Sequence, residues 1–185
     1  FPWAEHKQKF KRLNEPDVSY HGVVYTEALG PAAFIGRARV VPLRNMGAAI
    51  SPFNAFLILQ GIETVTLRMD RICENTLKVA QFLKGHAKVS WVNYAGLPDH
   101  RDHALVQKYM GGRASGILTF GVKGGTGDAK AAGARFQDAL QLVVRLVNIG
   151  DCKSLACHPA STTHRQLSPE EMAKAGVSED MVRLS

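Results

Sequence analysis

The stretch SLACHPASTTHRQLSPEEMAKAGVSEDMVRLS, residues 154–185, decides the fold class of this chain and points to its chemistry. It begins with a short apolar segment and small hydroxyl residues. Ser168 and Glu171 then form a capping-box pattern that predicts the start of a helix. The closing VRLS predicts a strand that carries Arg183. Because an unpaired buried charge loses on the order of several kcal/mol of hydration, we expect an anion to meet this arginine. The pattern alone leaves a structural ion pair and a ligand site both open.

Predicted strands and helices alternate through the larger, C-terminal part of the chain. Apolar residues recur at three- and four-residue spacing over residues 63–84, which predicts the longest helix. Glu74 and Lys78 add an i,i+4 ion pair to that helix. A sheet covered by helices mainly on one side, an α/β sandwich, accounts for the alternation. Further strands are predicted at 89–94, 117–122, 146–149 and 154–157, and further helices at 102–110, 128–144 and 168–176.

Residues 1–60 have a different character. Prolines and glycines follow no period over residues 1–32, so this stretch is predicted to be an irregular arm that lies on some other surface. A helix is predicted over residues 31–45 with a bend at Pro42. Another helix is predicted from Ser51, as N-cap, to Gly61. We therefore expect two domains, residues 1–60 and residues 61–185.

Composition narrows the class of protein. Apolar residues make up 45% and charged residues 21% of the 185 positions, as in a globular domain. The net charge of +7 does not indicate a nucleic-acid partner, because the basic residues are not interleaved with aromatic ones on a predicted face. No apolar run is long enough to predict a membrane span, and no signal peptide is expected. Three cysteines favour reduced thiols in a cytoplasmic protein.

Three local patterns invite a chemical interpretation, and a structural one is favoured for each. The glycines between residues 111 and 127 lack the G-x-x-x-x-G-K-[ST] spacing of a phosphate loop, so turns are predicted. Residues 99–103 hold four potential metal ligands, but a solvated loop with Asp102 as a helix N-cap fits better. No cysteine pair with zinc-finger spacing accompanies Cys157 and His158. Cys157 is therefore predicted to be a small buried thiol rather than a zinc ligand or a nucleophile. No metal site is predicted.

Six motifs together resemble one enzyme family. They are PDVSYHG at 16–22, GPAAF at 30–34, SPFNAFL at 51–57, SLA at 154–156, HPASTTH at 158–164 and RLS at 183–185. This set resembles the pyridoxal-phosphate (PLP) enzymes of cysteine and methionine metabolism, most closely the O-acetylhomoserine sulfhydrylases. The resemblance implies a PLP-dependent transferase of aspartate-aminotransferase type (fold type I). Residues 1–60 would then be the end of the large PLP-binding domain, and residues 61–185 would be the small α/β domain.

The resemblance also implies that part of the active site lies elsewhere. The PLP lysine of the family stands in a Ser-x-Thr-Lys context, which is not found here, and Lys7, Lys9 and Lys11 lie in a different context. We therefore expect the PLP lysine, and all catalytic residues, to lie outside this chain. A missing N-terminal part of the same protein would supply them. The family also continues beyond Leu184-Ser185. This polypeptide alone is expected to be inactive.

By resemblance, the intact enzyme uses PLP to replace the acetyl group of O-acetyl-L-homoserine with sulfide or methanethiol, giving homocysteine or methionine. Such enzymes usually form homotetramers that are dimers of dimers. Arg183 would bind the substrate α-carboxylate, and Ser154 would bind near that carboxylate or the lysine–PLP linkage. The side-chain end of the substrate would be lined by His158, Thr162 and Thr163.

Two alternatives remain open at this point. A γ-lyase or γ-synthase of the same family would act on cystathionine or methionine, although the HPASTTH turn disfavours it. A non-catalytic assembly or interaction fragment is the alternative from a different class. Product analysis separates the first alternative from the sulfhydrylase, and absence of the PLP cofactor would favour the second.

Overall fold

The computed structural model describes residues 1–124 and 128–185 of this chain. They form two compact units, which divide between Leu59 and Gln60. The assignment of these units to a large and a small domain stays a prediction. The predicted turns at Gly125 and Gly127 lie outside the described residues. Among the residues that are described, no helix has both the length and the apolarity to cross a membrane.

Residues 1–59 contain short helical turns rather than the irregular arm that the sequence predicts over residues 1–32. That prediction is wrong because Leu13, Tyr25 and Ala33 form a small core of their own, and Tyr25 is only 1% exposed. Single turns of 3₁₀ helix lie at Trp3–His6, Val18–Tyr20 and Gly30–Ala32. The α-helices that lie wholly within this unit are α1 (Lys11–Asn14), α2 (Tyr25–Leu29), α3 (Ala33–Ala38) and α4 (Arg44–Met46).

At Pro42, where the sequence predicts a bend, the structure has a π-helical turn, Arg39–Leu43, between α3 and α4. A proline lacks the N–H that a regular helix would use, and the wider turn accommodates it. Helix α5 (Pro52–Glu63) begins where predicted, because the Ser51 Oγ accepts a hydrogen bond from the Asn54 N–H at 3.1 Å. Helix α6 (Val65–Lys84) confirms the longest predicted helix.

Residues 60–185 contain one mixed sheet with helices packed on it. After α6 come β1 (Val89–Asn93), α7 (His103–Met110), β2 (Leu118–Val122), α8 (Ala129–Asp138), β3 (Val144–Arg145), β4 (Leu155–Cys157), α9 (Pro169–Lys174) and β5 (Met181–Leu184). The described strands are ordered β1-β2-β5-β4-β3. Neighbouring strands are antiparallel except β3 and β4, which are parallel.

The two faces of this sheet differ in chemistry. Phe120 of β2 and Val182 of β5 are paired and point to the face on which the helices pack, where Phe136 of α8 meets Phe120 edge-on at 5.6 Å between ring centroids. We call this the helix face. Side chains alternate along a strand, so Thr119 and Arg183, which are also paired, lie on the opposite face. We call that the Arg183 face. The predicted α/β sandwich is confirmed.

The segment after α8 differs from its prediction. The helix expected over residues 128–144 ends at Asp138, and the strand expected over residues 146–149 is instead β3. The chain leaves the helix because pairing with β4 gives its backbone a partner: the Val144 N–H donates to the Ser154 carbonyl at 3.0 Å. The N-cap of α8 is Asp128, whose carboxylate accepts a hydrogen bond from the Lys130 N–H at 2.8 Å.

Candidate functional site

Arg183 is the centre of the candidate site. It lies in β5 between two neighbouring strands, paired with Thr119 of β2 on one side and with Cys157 of β4 on the other. Its Nη2 donates to the Asn148 carbonyl at 2.9 Å, which anchors one edge of the guanidinium. Its Nε is buried and has no hydrogen-bond partner within residues 1–124 and 128–185. The residue therefore presents a buried, unused donor.

An unused buried donor is unfavourable by about 1–3 kcal/mol, because it has lost water without gaining a partner. A carboxylate that accepts from Nε and a terminal nitrogen would satisfy it through two parallel hydrogen bonds, the arrangement for which the planar guanidinium is suited. Of the two interpretations that the sequence leaves open for Arg183, the geometry therefore favours an anion site. A structural ion pair to a described carboxylate is not found at this side chain.

Thr162 is connected to the same face of the sheet. The Cys157 Sγ lies 3.1 Å from the Thr162 Oγ1, and Cys157 is the β4 partner of Arg183. Thr162 also donates through Oγ1 to the His158 carbonyl at 2.8 Å. The predicted small buried thiol at Cys157 is confirmed, since this side chain is 4% exposed. The hydrogen bond between Cys157 and Thr162 connects the turn after β4 to β4 itself, the strand that lies beside Arg183.

Ser154 and Thr163 are both exposed and less directly connected to Arg183. Ser154 precedes β4, three positions from Cys157, which is roughly 10 Å along an extended strand. The Thr163 Oγ1 lies 2.8 Å from the His164 Nδ1. Roles for Ser154 and Thr163 in substrate binding stay predictions.

His158 does not share the Arg183 face. Its side chain is fully buried and lies against α8 on the helix face, where its backbone N–H donates to the Gln137 Oε1 at 2.6 Å. Its Nδ1 lies 2.8 Å from the Ser161 Oγ, and its Nε2 lies 2.8 Å from the Glu179 carbonyl oxygen. This geometry favours a structural role. The predicted contact between His158 and substrate stays a prediction.

A cluster that the sequence analysis missed surrounds the turn before β5. The Asp180 Oδ2 accepts from the Trp91 Nε1 at 3.0 Å and from the Ser90 Oγ at 3.1 Å, so it joins β1 to this turn. Gly121 lies beneath the cluster, and a Cβ there would collide with the Asp180, Trp91 and Ser90 side chains. The only signal in the sequence is a glycine inside a predicted strand, which indicates close approach by another group.

A second polar cluster lies within the first unit, in the PDVSYHG motif. Tyr25 donates from its hydroxyl to the Asp17 Oδ2 at 3.0 Å, and the Arg37 Nε lies 3.6 Å from the same oxygen. Hydrogen bonding by the Ser19 hydroxyl lowers the pKa of Asp17, and burial raises the pKa of Tyr25. The hydrogen bond from Tyr25 and the ion pair with Arg37 connect the Asp17 turn to α2 and α3.

Polar side chains of residues 99–103 are engaged with other residues. Asp99 pairs with Lys84 at 2.6 Å, and the His100 Nε2 lies 2.8 Å from the Asn93 Oδ1. No group of three or more potential ligands is found among the described residues. Asp102 is the N-cap residue of α7, as predicted, but its carboxylate lies 3.3 Å from the Arg101 Nε and makes no hydrogen bond to the helix N-terminus.

The residues present fit the part of a PLP site that binds the substrate carboxylate. They do not fit the lysine that carries PLP. Lys7, Lys9 and Lys11 are all exposed, and no lysine of the described chain is buried. A lysine that holds PLP needs a closed environment to tune its amine. The orphaned Arg183 Nε, in contrast, suits the carboxylate of an amino acid. The chain therefore offers one part of such a site.

Comparison with known proteins gives consistent results. A family model described as "Cys/Met metabolism PLP-dependent enzyme" matches residues 4–185. O-acetyl-L-homoserine sulfhydrylase 1 of Thermus thermophilus is 51% identical over 185 residues, which is all of this chain and 42% of that protein. Homocysteine/cysteine synthase of Kluyveromyces lactis is 44% identical over 191 residues, covering all of this chain and 43% of that protein.

A crystal structure is also similar. It is that of a Campylobacter jejuni protein assigned as an O-acetylhomoserine (thiol)-lyase with a pyridoxyl-lysine phosphate. It superimposes with a TM-score of 0.79 at 41% identity, over 98% of this chain and 42% of that one. The chain thus spans about two fifths of the length of these relatives. The resemblance and the fold class inferred from the motifs are confirmed, and the chain belongs to the Cys/Met metabolism family of PLP-dependent enzymes.

Proposed function

We propose that the full-length protein is a transferase that replaces the acetyl group of O-acetyl-L-homoserine with sulfide or methanethiol, giving homocysteine or methionine. The observation that carries this proposal is the buried Nε of Arg183, which has no partner among the described residues, in a chain 51% identical to an O-acetyl-L-homoserine sulfhydrylase. An amino-acid substrate always presents a carboxylate, and Arg183 offers the matching donor pair.

In this proposal the chain binds and orients the substrate. Arg183 holds the α-carboxylate, with the Asn148 carbonyl fixing the other edge of the guanidinium. Fixing the carboxylate orients the Cα–H bond for removal of its proton, and such positioning contributes several kcal/mol in favourable cases, on the order of 7–11 kcal/mol at most. PLP, when bound, supplies the electron sink for the reaction. Thr162 and Ser154 are proposed to line the same side, and the lysine that carries PLP is proposed to lie in the rest of the protein.

The exposed apolar surface of α5 supports the proposal that the rest of the protein packs against this helix. Apolar side chains on every side of this helix are 51–68% exposed, and contiguous apolar surface of this kind marks an interface. We propose that the remaining part of the same protein covers α5, within a cytoplasmic homotetramer built from dimers. The exposed apolar residues are Phe53, Phe56, Leu57, Ile58, Leu59 and Ile62.

The test is product analysis on the purified full-length protein. Incubation with O-acetyl-L-homoserine and sulfide is expected to release acetate and form homocysteine in equal amounts. Formation of a 2-oxo acid and ammonia instead would indicate a γ-lyase of the same family. A full-length protein that contains no PLP and consumes no substrate would contradict the proposal and favour an assembly role.

A further inference from the structure

We propose that His158 is a positioning residue for Arg183, which acts by fixing the turn before β5 and makes no contact with substrate. This role rests on the proposed function, in which Arg183 binds a carboxylate. His158 directly follows Cys157, the β4 partner of Arg183, yet its side chain lies on the opposite face of the sheet. It therefore influences Arg183 through the backbone.

Every polar atom of the His158 side chain is engaged within the protein. Nε2 lies 2.8 Å from the Glu179 carbonyl, and Nδ1 lies 2.8 Å from the Ser161 hydroxyl. A carbonyl oxygen only accepts, so Nε2 carries the proton and donates it, while Nδ1 accepts from the Ser161 hydroxyl. The neutral ring with the proton on Nε2 satisfies both neighbours.

Helix α8 is shaped to receive this ring. Gly133 faces the imidazole, and a Cβ at that position would collide with it. Gln137, one turn further along α8 and 4% exposed, accepts the His158 backbone N–H. The imidazole of His158 is therefore enclosed on all sides. Gly133 and Gln137 of α8 leave space for it in one orientation only.

The group that His158 holds is the turn from which β5 starts. Glu179 and Asp180 form this turn, and β5 begins at Met181. The Asp180 side of the turn is already held by Ser90 and Trp91 of β1. His158 holds the Glu179 side, from the opposite face of the sheet. With both sides held, β5 and the Arg183 backbone are fixed in register.

Two substitutions separate this role from other roles of the residue. The Nε2 hydrogen-bond donor of His158 is approximated by the amide nitrogen of Gln in His158→Gln, which keeps the bond to Glu179. The shorter amide of His158→Asn reaches only the Nδ1 position, so it can bond Ser161 and not Glu179. The Gln and Asn side chains differ by one methylene group, so the two variants differ in whether the hydrogen bond to the Glu179 carbonyl can form.

The experiment uses the full-length enzyme with O-acetyl-L-homoserine and sulfide. For His158→Asn we expect the KM for O-acetyl-L-homoserine to rise about tenfold, the loss expected for one weakened charge-assisted hydrogen bond. Its kcat and its KM for sulfide are expected to stay within roughly twofold of the wild type. His158→Gln is expected to restore most of the KM. Hydrogen exchange of the amides of residues 181–184 is expected to be faster in His158→Asn, with α6 unchanged.

A wild-type KM in His158→Asn, or an equal effect in both variants, would overturn the proposal. So would a loss of kcat at unchanged KM, which would indicate contact with the reacting groups. A wild-type enzyme without activity on O-acetyl-L-homoserine would contradict the proposed function instead, and the exchange measurement would still test the link from His158 to β5. If His158→Asn does not fold, Ser161→Ala removes only the hydroxyl at Nδ1. A KM rise of about threefold is then expected, and an unchanged KM would overturn the proposal.

Discussion

Replacement of Arg183 tests the proposed carboxylate site most sharply among single substitutions. Arg183→Lys keeps the charge but replaces the planar pair of donors by a single point. It also removes the bond from Nη2 to the Asn148 carbonyl, which holds the guanidinium at 2.9 Å. One charge-assisted hydrogen bond contributes about 1.5–3 kcal/mol, so kcat/KM for O-acetyl-L-homoserine is expected to fall by about 10- to 150-fold. Arg183→Ala loses both bonds to the carboxylate, about 3–6 kcal/mol, which corresponds to a fall of roughly 10²- to 10⁴-fold.

The assay is initial-rate kinetics on the full-length enzyme, with Arg71→Lys as the matched control. The Arg71 side chain is 71% exposed on α6 and pairs only loosely with Glu74 at 3.8 Å, so its replacement is expected to change kcat/KM by less than about twofold. A carboxylate-free amine analogue of the substrate is expected to bind wild type and Arg183→Ala equally. A kcat/KM of Arg183→Ala within about threefold of the wild type would refute the assignment of Arg183.

Four further predictions concern the stability of the full-length protein. Ser168→Ala removes the α9 N-cap and is expected to lower the free energy of unfolding by about 1 kcal/mol, measured by urea titration. The hydrogen bond from the Ser168 backbone N–H lowers the pKa of Glu171 in the folded protein. The stability that this bond adds is present above the ordinary pKa of a glutamate and is lost as the pH falls through the lowered pKa of Glu171. Burial raises the pKa of Tyr94 to about 12, so stability is expected to fall between pH 10 and 12 in the wild type, and this part of the decline is absent in Tyr94→Phe. Phe120→Ala is expected to lower the free energy of unfolding by about 3–5 kcal/mol, since Phe120 is 1% exposed in the core.

Features encoded within a few residues were predictable from the sequence. The 3.6-residue period of α6 and the Ser168 capping box are local patterns, and both appear in the structure as predicted. The ion pair of Glu74 and Lys78 is present at 2.6 Å for the same reason. Arg183 was predictable as a special residue because a charge inside an apolar strand needs a partner.

Features that depend on distant parts of the chain were not predictable. The short helical turns of residues 1–32 are too brief to show a period, and the core around Tyr25 that stabilises them joins residues far apart in the sequence. The end of α8 is set by the pairing of β3 with β4, which local propensity does not report.

The placement of His158 illustrates the same limit within the candidate site. HPASTTH is a run of small polar residues without a period, so the sequence does not tell which face of the sheet each side chain takes. Burial against Gln137 and Gly133 of α8 decides this for His158. Family resemblance groups His158 with Arg183, whereas the sheet register separates them.

The most direct test of the account is a crystal structure of the full-length PLP enzyme with an unreactive amino-acid analogue of O-acetyl-L-homoserine. We expect one carboxylate oxygen at about 2.7–2.9 Å from the Arg183 Nε and the other within the same distance of a terminal guanidinium nitrogen. A carboxylate bound by other residues, with the Arg183 Nε still without a partner, would contradict the assignment of Arg183 as the substrate-binding residue.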